Sequence, residues 1–358
     1  MATAGKWLAT TQFWRWLCRN KLRFNSAHLP SMTKKVFITG ASGCIGHYLA
    51  ETFIQNTDYE LYLFVRSPQK LQFDTSVREG IHIVQGDLID IEDQADLLKT
   101  MNVAILAATA WGGAQESFET NVVKTTRLID LLDPTICEQI IYFSTASLLG
   151  RDNEILTEAR DFGTDYVRTK YECYQKLGTL ELAPKISVVF PTLVAGGAPD
   201  KPYSHFSGGL KDLIKWLPIA KFFSGDGSFH FIHGEDIATV VRHLSQNPPL
   251  IKFDLPKGEL DPDRLFVLGN EPLTVDEAIA ELCEHRGQKE YFKIPLTVGL
   301  ANLIIKIFRI QVAAWDRFCI DYRHFTYAKT YNPRSFGLES TCPKLTHVLT
   351  SAGVPRKA

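Results

Sequence analysis

Thr39-Gly40-Ala41-Ser42-Gly43-Cys44-Ile45-Gly46 follows directly on the apolar run Lys35-Val36-Phe37-Ile38, and its glycines stand three and three apart, reading TGxxGxxG. A strand that ends in such a turn and runs on into a helix makes a cradle for a dinucleotide. Gly40 lets the chain turn tightly off the strand. Gly43 lets the backbone approach a pyrophosphate with no Cβ in the way, and Gly46 lets the following helix pack closely on the sheet. The N-terminus of that helix then offers free N–H groups to the anion. In isolation the motif also fits an ordinary strand-to-helix turn, so the surrounding pattern has to decide.

Outward from this turn, short apolar and β-branched runs alternate with helical periodicity. Strands are expected at 35–39, 60–65, 81–85, 103–108, 139–144 and 186–190, with helices over 45–55, 90–101, 118–132 and 165–178. That alternation predicts an α/β protein with a Rossmann-type doubly wound parallel sheet, whose ligand lies outside the carboxyl ends of the strands. After about residue 195 the rhythm breaks, and glycine and proline punctuate a loop-rich region with helices near 210–217, 275–285 and 296–308. The expected organisation is therefore an extension over 1–31, a dinucleotide-binding domain over 32–195, and a smaller, irregular substrate-binding portion over 196–358. Strands and helices of that last portion are expected to return in part to the sheet domain.

Composition narrows the partners. A 358-residue chain with 45% hydrophobic residues can bury a large core, and its net charge of -1 gives no electrostatic reason to expect nucleic acid. Seven cysteines are scattered and never form a CxxC pair, which points to reduced thiols in a cytoplasmic setting, with neither a disulfide framework nor a zinc site. His205, His230 and His233 lack a helical ligand spacing and are read as loop or strand histidines, so no metal is expected. No stretch reaches the roughly 18 consecutive apolar residues of a membrane span. Residues 1–31 differ from the rest, holding Lys6, Arg15, Arg19, Lys21 and Arg23, no acid, and Trp7, Phe13, Trp14 and Trp16. They read as an extension, or as sequence ahead of a start at Met32; a targeting or membrane-surface segment is the other reading.

Tyr166-Val167-Arg168-Thr169-Lys170 places a phenol and an ammonium on one face of a helix, a turn apart. A cationic neighbour favours the phenolate and brings proton exchange nearer to neutral pH. The spacing alone is common, and its bland reading is a solvated helix face. It gains weight from falling on the helix after the fifth strand, whose end carries Ser144 and Thr145, hydroxyls able to orient and polarise a substrate carbonyl.

Together these motifs resemble the extended short-chain dehydrogenase/reductase family, the group of NAD(P)-dependent epimerases and dehydratases. The resemblance spans about 34–345 and also rests on Gly86-Asp87-Leu88, Ala107-Ala108-Thr109, Asn121-Val122, Pro191-Thr192-Leu193-Val194 and Phe231-Ile232-His233-Gly234-Glu235-Asp236. It implies that Tyr166 is the general acid/base and that Lys170 lowers its pKa and holds the nicotinamide ribose. Thr145, or in its place Ser144, would bond the substrate oxygen; the stretch from there to Tyr166 is shorter than is common in the family, which leaves both open. The turn residues Gly40, Ser42, Gly43, Cys44, Ile45 and Gly46 would hold the dinucleotide. Asp87 and Leu88 would meet the adenine, and Ala107, Ala108 and Thr109 would line the cleft. Pro191, Leu193 and Val194 would flank the nicotinamide, and Asn121 would support the active-site helix. Members often dimerise through helices corresponding to 118–132 and 165–178, so a homodimer is a further expectation.

The second strand ends Val65-Arg66-Ser67-Pro68, with arginine where NAD-specific relatives place an acid, so NADP(H) is favoured over NAD(H). This run resembles the dihydroflavonol-reductase-like and 3β-hydroxysteroid-dehydrogenase-like branch. Sugar-nucleotide members usually carry arginines where Phe190 and the Phe229-His230 pair stand here. The expected activity is hydride transfer to or from a carbonyl or alcohol of a small, rather apolar substrate. A sugar-nucleotide epimerase or dehydratase and a non-catalytic dinucleotide-binding protein are the alternatives.

Overall fold

The computed structural model describes residues 33–252, 255–256, 258–289, 292–300, 302 and 311–357. The extension over 1–31 and most of the helix expected at 296–308 lie outside the described residues. Seven strands, β1 (Lys35–Thr39), β2 (Glu60–Val65), β3 (Ile81–Gln85), β4 (Val103–Leu106), β5 (Gln139–Phe143), β6 (Ile186–Pro191) and β7 (Leu265–Leu268), form one sheet in the order β7-β6-β5-β4-β1-β2-β3. Every pairing is parallel; Val36 lies opposite Leu61 on one side and Val103 on the other.

Side chains of one strand alternate between two cores. Val36, Ile38, Val103, Ile105, Ile141 and Phe143 point to one face, while Phe37, Ala104, Leu106, Ile140 and Tyr142 point to the other. Both faces are apolar, which is why the central strands read as continuous hydrophobic runs. Helices α1 (Cys44–Asn56) and, later in the chain, Gly234–Gln246 cover the first face. The second face is covered by α2 (114–130) and by α3 (Asp165–Leu177). Helix α2 runs from Ala114–Phe118 through a π-helical stretch, Glu119–Lys124, to Thr125–Asp130.

Further on, α4 (His205–Ala220), α5 (Gly234–Gln246) and α6 (Val275–His285) follow. Leu210, Leu217, Leu282 and the helix Leu345–Ser351 build a third, smaller core. Helix α5 crosses α1 so closely that a Cβ on Gly234 would lie 2.4 Å from Cδ2 of Tyr48. Buried Asp236 on α5 ties down the C-terminal segment, accepting from Ser340 Oγ at 2.8 Å and from the Thr341 amide at 2.7 Å.

Two elements depart from the sequence pattern. The helix expected over 90–101 is instead a run of 3-10 turns, Leu88–Gln94, kinked at Asp90 and followed by a single α-turn, Ala95–Leu98. Asp87 accepts from the Ile89 amide at 3.2 Å, and this local side-chain bond competes with regular helix. The seventh strand comes from the less regular portion. Leu265-Phe266-Val267-Leu268 is too short to stand out in the sequence, and pairing with β6 makes it a strand.

Candidate active site

The glycine turn sits at the point where strand order reverses, between β1 and β4. Gly40 has φ +76°, and a Cβ there would meet the Ala108 nitrogen at 2.8 Å, so both conformation and crowding require glycine. Gly46 is constrained differently from the expectation of helix–sheet packing. Its Cβ would lie 2.0 Å from the Gly40 carbonyl oxygen, a clash within the turn itself. A Cβ on Gly43 would meet only that same oxygen, at 3.4 Å. The Thr39 hydroxyl accepts from the Ala108 amide at 3.1 Å, bridging the ends of β1 and β4.

Cys44 and Ile45 open α1. The Cys44 sulfur faces Gly196, and burial pushes its thiol up to about 12, so this cysteine is not activated by its helix N-terminus. His47, one turn on, is fully buried; its Nδ1 lies 2.9 Å from the Gly43 carbonyl and its Nε2 accepts from the Gln72 amide at 3.2 Å. Those bonds assign the neutral Nδ1–H tautomer, and burial lowers its pKa accordingly.

At the far end of the crevice, Arg66 lies beyond β2 with its guanidinium 3.7 Å from the Asp87 carboxylate, and both side chains are exposed. Leu88 is buried among the core residues behind them, so a ligand would meet its backbone rather than its side chain.

The end of the crevice at which the sequence places the candidate catalytic residues is built by β5 and α3. Thr164 caps α3, its hydroxyl accepting from the Val167 amide at 3.3 Å. The helix then buries Val167, Lys170, Cys173 and Leu177, an apolar stripe with a lysine in it. Lys170 Nζ donates to the Phe143 carbonyl at 2.7 Å and lies 4.8 Å from the centroid of the Tyr142 ring. Burial lowers its pKa to about 8. Tyr166, one turn earlier, is pushed up to about 12 by burial, against a hydrogen bond with Thr145 that pulls the other way. In the protein by itself, burial therefore outweighs the lowering that the Tyr166–Lys170 spacing suggests. Thr145 also accepts from the Ser147 amide at 3.3 Å. Beside it, the Ser144 hydroxyl is buried with no hydrogen-bond partner among the described residues.

These elements agree with an independent comparison: the model of the NAD dependent epimerase/dehydratase family matches residues 36–252, from the first strand through the glycine turn, Tyr166 and Lys170. The chain belongs to that family. Solved structures share its fold at low identity. The terminal R domain from the myxalamid PKS-NRPS biosynthetic pathway is 15% identical, with a TM-score of 0.65 over 90% of each chain. A dTDP-glucose 4,6-dehydratase from Bacillus anthracis in complex with NAD is 13% identical, with a TM-score of 0.57 over 90% of this chain and 96% of that one. A UDP-glucuronic acid 4-epimerase from Bacillus cereus in complex with NAD is 17% identical, with a TM-score of 0.58 over 89% and 98%. No curated protein sequence matches this one.

In this member of the epimerase/dehydratase family, two further features stand out. Asn121, 1% exposed, accepts from the Ala110 amide at 2.8 Å and from the Thr109 hydroxyl at 3.0 Å. It donates to the Ala110 carbonyl at 3.0 Å and to Thr169 Oγ1 at 3.1 Å, so one amide joins the loop after β4 to α3. Trp111, absent from the motif-based expectation, stacks on Tyr166 with ring centroids 3.9 Å apart and planes 11° apart. His205, at the start of α4, lies tilted against the same indole, with ring centroids 5.0 Å apart. The available sequence signal was a single large aromatic in the small-residue run Ala107-Ala108-Thr109-Ala110-Trp111-Gly112-Gly113.

The other histidines serve structure. His230 bonds the Asn270 carbonyl at 2.6 Å through Nδ1 and accepts from the Tyr327 amide at 3.3 Å through Nε2. His233 caps α5, accepting from the Glu235 amide at 3.3 Å, and burial lowers its pKa to about 4. Thr192, in the segment expected at the nicotinamide, is fastened to β7 by its hydroxyl on the Leu268 carbonyl at 2.8 Å. Leu193 beyond it is 39% exposed. Among the described residues, no group of three or more His, Cys, Asp or Glu is placed to hold a metal ion, and no helix is long and apolar enough to cross a membrane.

Proposed function

We propose that this protein is an NADP(H)-preferring oxidoreductase acting on the carbonyl or alcohol of a small, rather apolar substrate. The observation that carries this reading is the Tyr166–Thr145 pair beside buried Lys170, at the carboxyl end of the same parallel sheet as the glycine turn. The residues fit a dinucleotide. A Cβ at Gly43 would meet no protein atom but the Gly40 oxygen, and the buried Ser144 hydroxyl has a bond still to make. The turn residues Gly40, Ser42, Gly43, Cys44, Ile45 and Gly46 would hold the pyrophosphate through backbone N–H groups. Asp87 and the Leu88 backbone would meet the adenine; Ala107, Ala108 and Thr109 would line the cleft. Pro191, Leu193 and Val194 would flank the nicotinamide, and Lys170 would hold its ribose. When bound, the nicotinamide supplies or accepts a hydride.

The chain's own residues handle the proton. With its pKa at about 12, Tyr166 keeps its proton at neutral pH and serves as the acid for an oxygen gaining negative charge in reduction. In the reverse direction the Tyr166 phenolate oxygen takes the proton back from the substrate hydroxyl. Thr145 orients the substrate oxygen against Tyr166, and the Trp111 ring over the phenol helps to exclude water. Changing Tyr166 to Phe is expected to cut turnover about a thousandfold while dinucleotide affinity, followed by fluorescence titration, stays within about twofold. Unchanged turnover would sink the assignment.

For the cofactor, Arg66 is the deciding residue. Its exposed contact with Asp87 is worth little, so the guanidinium is available to a 2′-phosphate at small cost. Arg66→Ala should weaken NADPH binding about 10- to 100-fold and leave NADH binding nearly unchanged. Equal losses for both would remove the NADP(H) preference and leave NAD(H).

The relatives named as a dehydratase and an epimerase of nucleotide sugars support a second reading, with hydride returned to the same substrate. Two observations weigh against it. Phe190 is buried, and His230, where such members usually keep an arginine, is buried with both ring nitrogens on backbone groups. Neither offers a cation to a diphosphate. A panel of UDP- and dTDP-sugars beside simple carbonyl compounds separates the two readings, and inactivity against both leaves a non-catalytic dinucleotide-binding protein.

A further inference from the structure

We propose that His47 is a positioning residue for the cofactor, its imidazole setting the spacing between the glycine turn and the loop that carries Arg66. This role rests on the NADP(H) reading of the same site. The ring stands in the first turns of α1 and is fully buried. On one side Nδ1 donates to the Gly43 carbonyl at 2.9 Å, an oxygen that also accepts the His47 amide at 3.0 Å. On the other side Nε2 accepts from the amide of Gln72, 25 residues along the chain, at 3.2 Å. Phe73 meets the ring edge-on, with centroids 5.3 Å apart and planes at 81°. One rigid ring thus joins two segments that are distant in sequence.

Each segment serves a different anion of the cofactor. Gly43 belongs to the turn that would take the pyrophosphate, and Arg66 heads the loop that would take the 2′-phosphate. From Arg66 the loop runs through one 3-10 turn, Pro68–Lys70, to its tie at Gln72. Within it the Ser67 carbonyl accepts from the Lys70 amide and the Pro68 carbonyl from the Leu71 amide, both at 3.0 Å, so the turn is closed on itself. Leu71 and Phe73 pack on the core that α1 covers and hold the loop down. The Gln72–His47 bond then fixes where along α1 it lies. In NADP(H) a ribose separates the pyrophosphate from the 2′-phosphate, so two anion sites must keep one distance. NAD(H) lacks the second anion, and a strut between the sites is felt by one cofactor only. A histidine retained for packing alone would need its two nitrogens bonded for the same burial, but would not distinguish the cofactors.

The test is a titration of the full chain with NADPH and with NADH, followed by fluorescence. His47→Asn keeps an amide near the place of Nδ1 and loses the tie to the loop. It is expected to raise the NADPH Kd about tenfold and leave the NADH Kd within about twofold. His47→Gln reaches the place of Nε2 and should return NADPH binding to within about threefold of the wild type. Gln72→Pro removes the donor amide from the loop with His47 intact, at an exposed residue and after Leu71, whose extended backbone (φ -73°, ψ 123°) suits a following proline. It should reproduce the loss seen with His47→Asn. Equal losses for both cofactors, no recovery with glutamine, or wild-type NADPH affinity in Gln72→Pro would overturn the positioning role. The NADP(H) reading survives each of these as long as Arg66→Ala still singles out NADPH. A wild type that binds NADH as tightly as NADPH overturns both.

Discussion

Lys170 is the residue whose character the fold changes most. Its spacing from Tyr166 is visible in the sequence, whereas its full burial on the apolar stripe of α3 is not. That burial lowers its pKa from the usual 10.5 to about 8. Between these two values the unfolded chain holds a proton that the folded chain has lost, so folding stability rises with pH across this window and falls again as pH drops through about 8. Relative to Lys170→Met, the wild type is therefore expected to gain about 3 kcal/mol between pH 8 and 10.5, read from denaturant midpoints. A flat difference would mean that the ammonium is not held in a desolvated place. Tyr166 carries the opposite lesson. A cation one turn away suggested an acidic phenol, but the Trp111 ring and the surrounding core keep the phenol protonated. Trp111 is recognised by no spacing rule, because the residue it stacks on lies 55 positions later in the sequence.

At the scale of elements, α2 shows how a buried polar side chain is placed. Asn121 and its neighbour Val122 lie on the π-helical stretch Glu119–Lys124 and are buried, at 1% and 0% exposure. Asn121 then serves the loop after β4 and α3 together. Asn121→Ala strands the half-buried Ala110 amide and is expected to cost about 2 kcal/mol in unfolding free energy at unchanged denaturant dependence. Loosening of the Trp111 loop should accompany it as a change in indole fluorescence. A loss below about 1 kcal/mol would show that water replaces the amide. Long, periodic elements such as α1, α3 and α6 were legible, with ends within one or two residues. The region after Asp87 was not, since a single side-chain bond to the Ile89 amide sets its turns.

For the whole molecule, the parallel sheet and the position of the crevice follow from alternation and from one glycine turn. The sequence by itself determined the family, the doubly wound architecture and the motif residues, because these depend on local periods and on turn conformations such as φ +76° at Gly40. Only the tertiary structure decided that Gly46 is required by the Gly40 carbonyl, that Leu265–Leu268 completes the sheet, and that Trp111 covers Tyr166. It also decided the direction of the Tyr166 and Lys170 shifts and left one apolar face of α4 toward solvent. The physical reason is common to all of these. Burial and close approach between segments distant in sequence arise when the chain is packed, and no local pattern of residues encodes which surfaces will meet.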